Sequence, residues 1–185
     1  MNVFDFDKTI LRGDTTVLFT WWCVRRYPSV RLHVLRALLH AIAMERGKIS
    51  LQDWKQDLFG YFALIPDMSA AVETFWDSHI ARIYPWFFST HHSDDVVISA
   101  SPQFLVDYAC ARIGIFHVLG SPVDPYTGRF TGLNCNKEEK VRRYREEFGN
   151  VPIDCFYSDS HSDDPLAAIA KEAFLVKRGH PKPWE

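Results

Sequence analysis

Short, unbroken apolar runs recur along this chain at wide intervals, and between residues 14 and 91 a different spacing takes over. The runs are "VF" at 3–4, "VVIS" at 96–99, "FHVLGS" at 116–121, "DCFYS" at 154–158 and "AFLVK" at 173–177. They are too short for helices and too continuous for half-buried strands. Runs of this kind form strands covered on both faces, the habit of a parallel sheet. Helix signals lie between them. Ser101-Pro102 reads as an N-cap followed by the first helical residue. Asn136 with Glu139 reads as a capping-box start for a helix ending near Gly149, and Asp164 before Pro165 as another N-cap. "DPYTGRFTG", 124–132, predicts a hairpin turning near Thr127-Gly128. Strands alternating with helices predict an α/β fold, a Rossmann-like parallel sheet with helices on both faces.

From 14 to 91 the spacing is helical. Leu35, Leu38, Leu39 and Ile42 fall at i, i+3, i+4 and i+7, one face of a helix. Ser50 and Asp53 resemble a capping box, and Trp54, Leu58 and Phe62 continue at helical intervals. Pro66-Asp67 breaks the chain before a helix carrying Val72, Phe75, Trp76, His79 and Ile80. This all-helical block interrupts the strand–helix alternation directly after the first strand. It predicts a helical cap, residues 14–91, over the strand's carboxyl end, on a core made of 1–13 and 92–185. Trp21, Trp22, Trp54 and Trp76 are expected to pack between the cap helices.

Composition narrows the class. The 185 residues suit one domain with a sizeable insertion, and 47% apolar with 15% aromatic residues argues against disorder. A formal net charge of −2 argues against a nucleic-acid partner. Cys23, Cys110, Cys135 and Cys155 lie far apart with no CxxC pair, and read as reduced thiols of a cytoplasmic protein. With the opening strand expected to begin at Asn2, no signal peptide is expected. The apolar stretches 15–24 and 37–44 are each half the roughly 20 residues a spanning helix needs. Arg25, Arg26, Arg31, Arg36, Arg46 and Lys48 oppose only Glu45 between 24 and 48. A solvated helix face, an anionic substrate or peripheral contact with an anionic membrane would each account for that run.

In open α/β sheets ligands bind beyond the carboxyl ends of the strands. The first strand ends in Asp5-Phe6-Asp7, the second in Ser99 and the fourth in Asp159, while Lys140 lies in the first turn of a helix. Two acids one residue apart repel unless a cation lies between them. Asp5 and Asp159 suit Mg²⁺, which binds one or two carboxylates plus phosphate and water. Asp5 is then a candidate nucleophile, forming an aspartyl-phosphate, and Asp7 a candidate acid/base. Ser99 and Lys140 would hold the phosphoryl oxygens. Ser101 caps the next helix in this reading, leaving Ser99 free. Lys137 competes with Lys140. His161 faces either the crevice or solvent. His91 and His92, with Asp94 and Asp95, read as a solvated loop.

"DFDKT", "ISAS", "EEKVRR" and "YSDSHSDDPL" resemble the four motifs of the haloacid dehalogenase superfamily of phosphatases. An insertion between the first two is similar to that of the helical-cap subfamily, which includes phosphoserine phosphatases and phosphatidylglycerophosphatase C. The resemblance implies an Mg²⁺-dependent phosphomonoester hydrolase with Asp5 as nucleophile and Asp7 as acid/base. It implies Asp159 and Asp163 as metal ligands together with Asp7, through its backbone carbonyl. Thr9 and Ala100 join Ser99 and Lys140 among the substrate-binding positions. Asp14 occupies the place of an acid that faces the substrate's amine in phosphoserine phosphatases, or else caps a helix after Gly13. Those phosphatases carry glycines where this chain has Ala100 and Ser101, and the lipid enzyme has a more continuously apolar cap. The first expectation is a small phosphorylated metabolite as substrate. The second is an anionic lipid head group such as phosphatidylglycerophosphate. A non-catalytic phosphate-binding module is the third, and the intact pair of acids argues against it.

Overall fold

A computed structural model describes residues 1–185, the side chains of Ile42, Ala43 and Glu45 excepted. Strand β1 (Val3–Phe4) leads into five helices: α1 (Thr15–Arg26), α2 (Pro28–Glu45), α3 (Leu51–Phe59), α4 (Met68–His79) and α5 (Pro85–Phe88). Then β2 (Val96–Pro102), α6 (Gln103–Arg112), β3 (His117–Ser121), α7 (Glu138–Phe148), β4 (Ile153–Ser158), α8 (Asp164–Ala167), β5 (Ala170–Lys177) and β6 (His180–Pro183) follow. The sheet order is β3-β2-β1-β4-β5-β6, the mostly parallel sheet that the apolar runs predict. Only β6 runs antiparallel.

β1 is two residues long, yet both are fully buried because it lies mid-sheet. Val3 and Phe4 pair with Val96 and Val97 on one side and with Phe156 and Tyr157 on the other, all in parallel. The strand order reverses here, β2 to one side and β4 to the other, which opens a crevice at the carboxyl end of β1. β6 has no apolar run. Arg178 and Gly179 both have positive φ, the requirement of a tight hairpin turn, and Pro181 and Pro183 are tolerated because β6 is an edge strand.

The helices between β1 and β2 share a core with the sheet. Phe6 meets the Trp76 ring edge-on, Phe19 meets Phe75, and the Trp76 indole donates to the Leu105 carbonyl at 2.8 Å. Trp22 packs between α1 and α4 as expected, against Phe19 and Phe75, but Trp76 packs toward Phe6 and Leu105 and Trp21 is exposed. Helix α2 turns a different stripe inward from the one its leucines suggest. Val30, Val34 and Ala37 are buried, whereas Leu35 and Leu39 are exposed and Leu38, about half exposed, edges the crevice; the Ile42 side chain lies outside the described residues. The Ser50–Asp53 capping box forms at the start of α3.

Two other helix starts differ from expectation. Lys137, with φ 53°, stands between Asn136 and α7, so the Asn136 side chain takes the Lys137 N–H and no capping box forms. Asp164 is the first residue of α8 rather than its cap, because a 3₁₀ turn, His161–Asp163, runs directly into it. Among the described residues no helix is long and apolar enough to cross a membrane. All four cysteines are free thiols, three of them buried.

Candidate active site

The crevice over β1 has a volume of about 390 Å³ and is lined by Asp5, Asp7, Asp14, Lys55, Ala100, Ser101, Lys140, Asp159 and Asp163, among others. Each polar residue arrives there for a local reason. β1 ends at Phe4, and the Asp5 N–H completes the sheet by donating to the Tyr157 carbonyl at 2.8 Å, so its carboxylate emerges at the strand's end. The chain then turns back on itself. Lys8 takes a positive φ, and its N–H donates to the Gly13 carbonyl at 2.8 Å. Asp14 closes the turn by capping α1, accepting the Val17 N–H at 3.0 Å.

Asp5 is buried between two donors. Lys140 Nζ donates to its Oδ1 at 2.7 Å, and Thr9 Oγ1 to its Oδ2 at 2.9 Å. The same ammonium donates to Asp163 Oδ2 at 2.7 Å, so Lys140 bridges two carboxylates. Burial pushes Asp5 up to about 7 even though Lys140 pulls the other way. Burial acts to lower Lys140, but Asp5 and Asp163 hold it above the ordinary lysine value. Lys137 is exposed and takes no part. Asp163 also accepts from Ser158 Oγ at 2.7 Å, and its second oxygen, Oδ1, is buried without a partner.

Asp7 is gripped on both oxygens. The Thr15 N–H donates to Oδ1 at 2.6 Å and its hydroxyl at 2.5 Å, while Ser101 Oγ donates to Oδ2 at 2.6 Å. Burial, and then the charge of Asp14, raise it to about 6. Here Ser101 does not play the part expected of it. The strand continues to Pro102, so Ser101 is still extended and does not cap α6; it points into the crevice. Ser99 is fully buried, accepts the Ser101 N–H at 3.1 Å, and lies 3.5 Å from Asp7 Oδ2. Thr9 is likewise fully buried behind Asp5.

Asp159 follows β4 and is half-buried, its carboxyl raised by burial against the pull of Lys8 and Lys177. Among the described residues its carboxylate accepts no hydrogen bond. His161 is exposed, paired with Asp164 at 3.1 Å and set against Trp184. Asp95 is buried, holding the N–H groups of Asn2 and His92 at 2.6 and 2.8 Å, and so is structural rather than solvated.

Thr15, Ser101 and Lys55 are site residues that the sequence pattern did not single out. Lys55 comes from α3 and reaches across to the sheet, where its ammonium donates to the Ala100 carbonyl at 2.9 Å and to Asn134 Oδ1 at 3.1 Å. The signal was there as spacing: Gln52, Lys55, Gln56 and Phe59 fall at i, i+3, i+4 and i+7, and this stripe meets the 122–134 loop.

Among the described residues no three His, Cys, Asp or Glu side chains are spaced to hold a metal ion by themselves. The donor set is nonetheless all oxygen, with Asp5 and Asp159 facing one crevice and Asp163 Oδ1 buried and unpartnered. That set fits Mg²⁺, which takes few protein carboxylates and keeps its waters.

The family model described as haloacid dehalogenase-like hydrolase matches residues 3–168. A histidinol-phosphatase from Neisseria meningitidis serogroup C (strain 8013) is 27% identical over 128 residues, 57% of this chain. That alignment spans 58% of the relative's own length. A solved protein of unknown function from Bordetella pertussis Tohama I superposes with a TM-score of 0.78 at 19% identity, covering 95% of this chain and 88% of that one. A phosphoserine phosphohydrolase-like protein from Francisella tularensis subsp. tularensis SCHU S4 gives 0.61 at 14% identity, covering 95% and 87%. At such identities the two structures speak for the fold alone.

Proposed function

The chain belongs to the haloacid dehalogenase-like hydrolases, and from that membership we propose that it is a phosphatase of a small phosphomonoester, working through Asp5. The observation that carries this reading is the Lys140 ammonium, 2.7 Å from both Asp5 and Asp163 at the mouth of β1. A binding module would need the cation but not a carboxylate held beside it, close to neutral pH, by burial.

In this reading an Asp5 oxygen attacks phosphorus, the ester P–O bond breaks, and the phosphoryl group rests on Asp5 as an acyl phosphate. Asp7, raised to about 6, carries a proton for part of the time near neutral pH and gives it to the departing alkoxide. As a carboxylate it then takes a proton from the water that releases phosphate. Thr15 and Ser101 fix its two oxygens, so the proton is delivered in one direction. Lys140 neutralises the phosphoryl oxygens, and the backbone at Ala100 and Ser101 edges the same space. Asp5, Asp159 and the Asp7 carbonyl would hold Mg²⁺, with Asp163 behind them. When bound, the ion supplies positive charge against the phosphoryl oxygens and lets Asp5 ionise. Residues 14–91 serve as the cap that meets the alcohol.

The test is phosphate release from a panel of phosphorylated metabolites, histidinol phosphate and phosphoserine included, with and without Mg²⁺. Asp5→Asn is expected to abolish release in a folded protein, since an amide does not attack phosphorus. Turnover retained by that variant would remove Asp5 from the role.

A further inference from the structure

The crevice has two unlike halves. Its floor is the carboxylate and ammonium cluster at the end of β1. The wall facing it, from α1, α2 and α3, is built of Val17, Trp21, Val34, Leu38, Trp54 and Leu58. Three of these are large apolar side chains left about half exposed, Val17 at 50%, Trp21 at 51% and Leu38 at 47%. The polar side chains on that wall are already engaged. Thr16 bonds Ser101, Thr20 bonds the Tyr61 hydroxyl, Lys55 bonds Ala100 and Asn134, the Trp54 N–H bonds Ala37, and Asp14 caps α1. A polar alcohol would lose water there and find few free partners.

The wall also continues beyond the crevice. On a helix of 3.6 residues per turn, Leu38 is followed around α2 at steps of about 60° or less by Leu35, Leu39 and Leu32. All three are more than half exposed. The floor fixes what the occupant must be, because one end has to be a phosphoryl group beside Asp5 and Lys140. The other end lies on leucine and tryptophan.

Resting on the phosphatase reading above, we propose that the substrate is a phosphomonoester of an apolar alcohol, whose hydrocarbon lies along Val17, Trp21 and Leu38 and leaves the crevice over Leu35. The enzyme then distinguishes esters by the hydrophobicity of the leaving group.

The experiment is a homologous series of monoalkyl phosphates from ethyl to octyl, each below its micelle concentration. kcat/KM is expected to rise about fourfold per methylene, the effect of removing a CH₂ from water. Trp21→Gln and Leu38→Gln are each expected to lower the octyl-to-ethyl ratio about tenfold. A flat series, or a steep one unchanged in both variants, would overturn the proposal. The same esters carried in phosphatidylcholine vesicles form a second arm. A preference appearing only there would assign the leucines to a bilayer surface and overturn a chain in the crevice. A third arm uses alkylphosphonates, which cannot be hydrolysed, titrated into Asp5→Asn by calorimetry. Affinity that climbs with chain length there, while the unsubstituted protein turns over none of the esters, would leave the apolar subsite standing and sink the phosphatase reading. Affinity independent of length would sink the subsite alone.

Discussion

Lys55 occupies a place that burial disfavours. Its ammonium is largely enclosed and, among the described residues, bonded only to neutral oxygens, and desolvation lowers it below the ordinary lysine value against the pull of Asp7 and Asp14. The crevice explains why a cation is retained. Five carboxylates line it, Asp5, Asp7, Asp14, Asp159 and Asp163, against three ammoniums, Lys8, Lys55 and Lys140. An anionic ester entering that field meets repulsion unless each cation is kept. Lys55→Met is therefore expected to raise KM about tenfold while kcat changes little, since Lys140 and not Lys55 touches Asp5. An unchanged KM would reduce Lys55 to a strut between helix and sheet. Asp7→Asn has the opposite signature. Its proton matters in the transition state, so kcat should fall roughly 10²- to 10⁴-fold. The loss should shrink as the leaving alcohol becomes more acidic, because a better leaving group needs the proton less. An equal loss across leaving groups would point to disturbed geometry instead.

At the scale of elements, the contact between α3 and the 122–134 loop decides how the helices sit over the sheet. Gln56 accepts the Phe130 N–H at 3.2 Å, Gln52 accepts the Asn134 N–H at 3.0 Å, and Phe59 lies against Phe130. Gly128, with φ +72°, makes this approach possible, since a Cβ there would overlap the Phe59 carbonyl. Gly128→Ala must strain both backbones. It is expected to cost about 2–3 kcal/mol, seen as a melting temperature roughly 5–10 °C lower. A melting temperature within about 1 °C of the parent would show that the loop yields freely. The strands were legible from sequence because parallel strands are buried on both faces and write unbroken apolar runs. β6 was not, since Pro181 and Pro183 belong to an edge that needs no such run. The α2 leucines were legible as one face, but periodicity does not say whether a face meets the core or a crevice. The candidate carboxylates and Lys140 were legible because strand ends and a helix start place them. Ser101 was misread because β2 runs three residues further than its apolar run, to Pro102. Lys55 stayed hidden because its partners, Ala100 and Asn134, are 45 and 79 residues away.

Taken whole, the molecule gathers acids at one point of a chain whose formal net charge is only −2. Burial raises Asp5, Asp7 and Asp159 alike, so the fold holds an electrostatic load in one crevice. The orphaned Asp163 Oδ1 lies in the same place. A divalent cation would relieve that load in the folded state, and no preformed site exists in the unfolded chain. Binding must then stabilise the fold by RT ln(1 + [L]/Kd), about 2.7 kcal/mol at a hundredfold excess over Kd. For a chain of 185 residues that is a rise in melting temperature of roughly 5–10 °C. Mg²⁺ is expected to produce this rise, and EDTA to remove both it and phosphate release. Asp159→Asn should lose most of the rise, because Asp159 is the acid with no protein donor to satisfy it. Ca²⁺ should support turnover poorly, since its larger and looser coordination misplaces the phosphoryl group. The melting curve reads the metal site without relying on catalysis. A full Mg²⁺ shift in Asp159→Asn would place the ion elsewhere, and full activity in excess EDTA would dismiss it from the reaction.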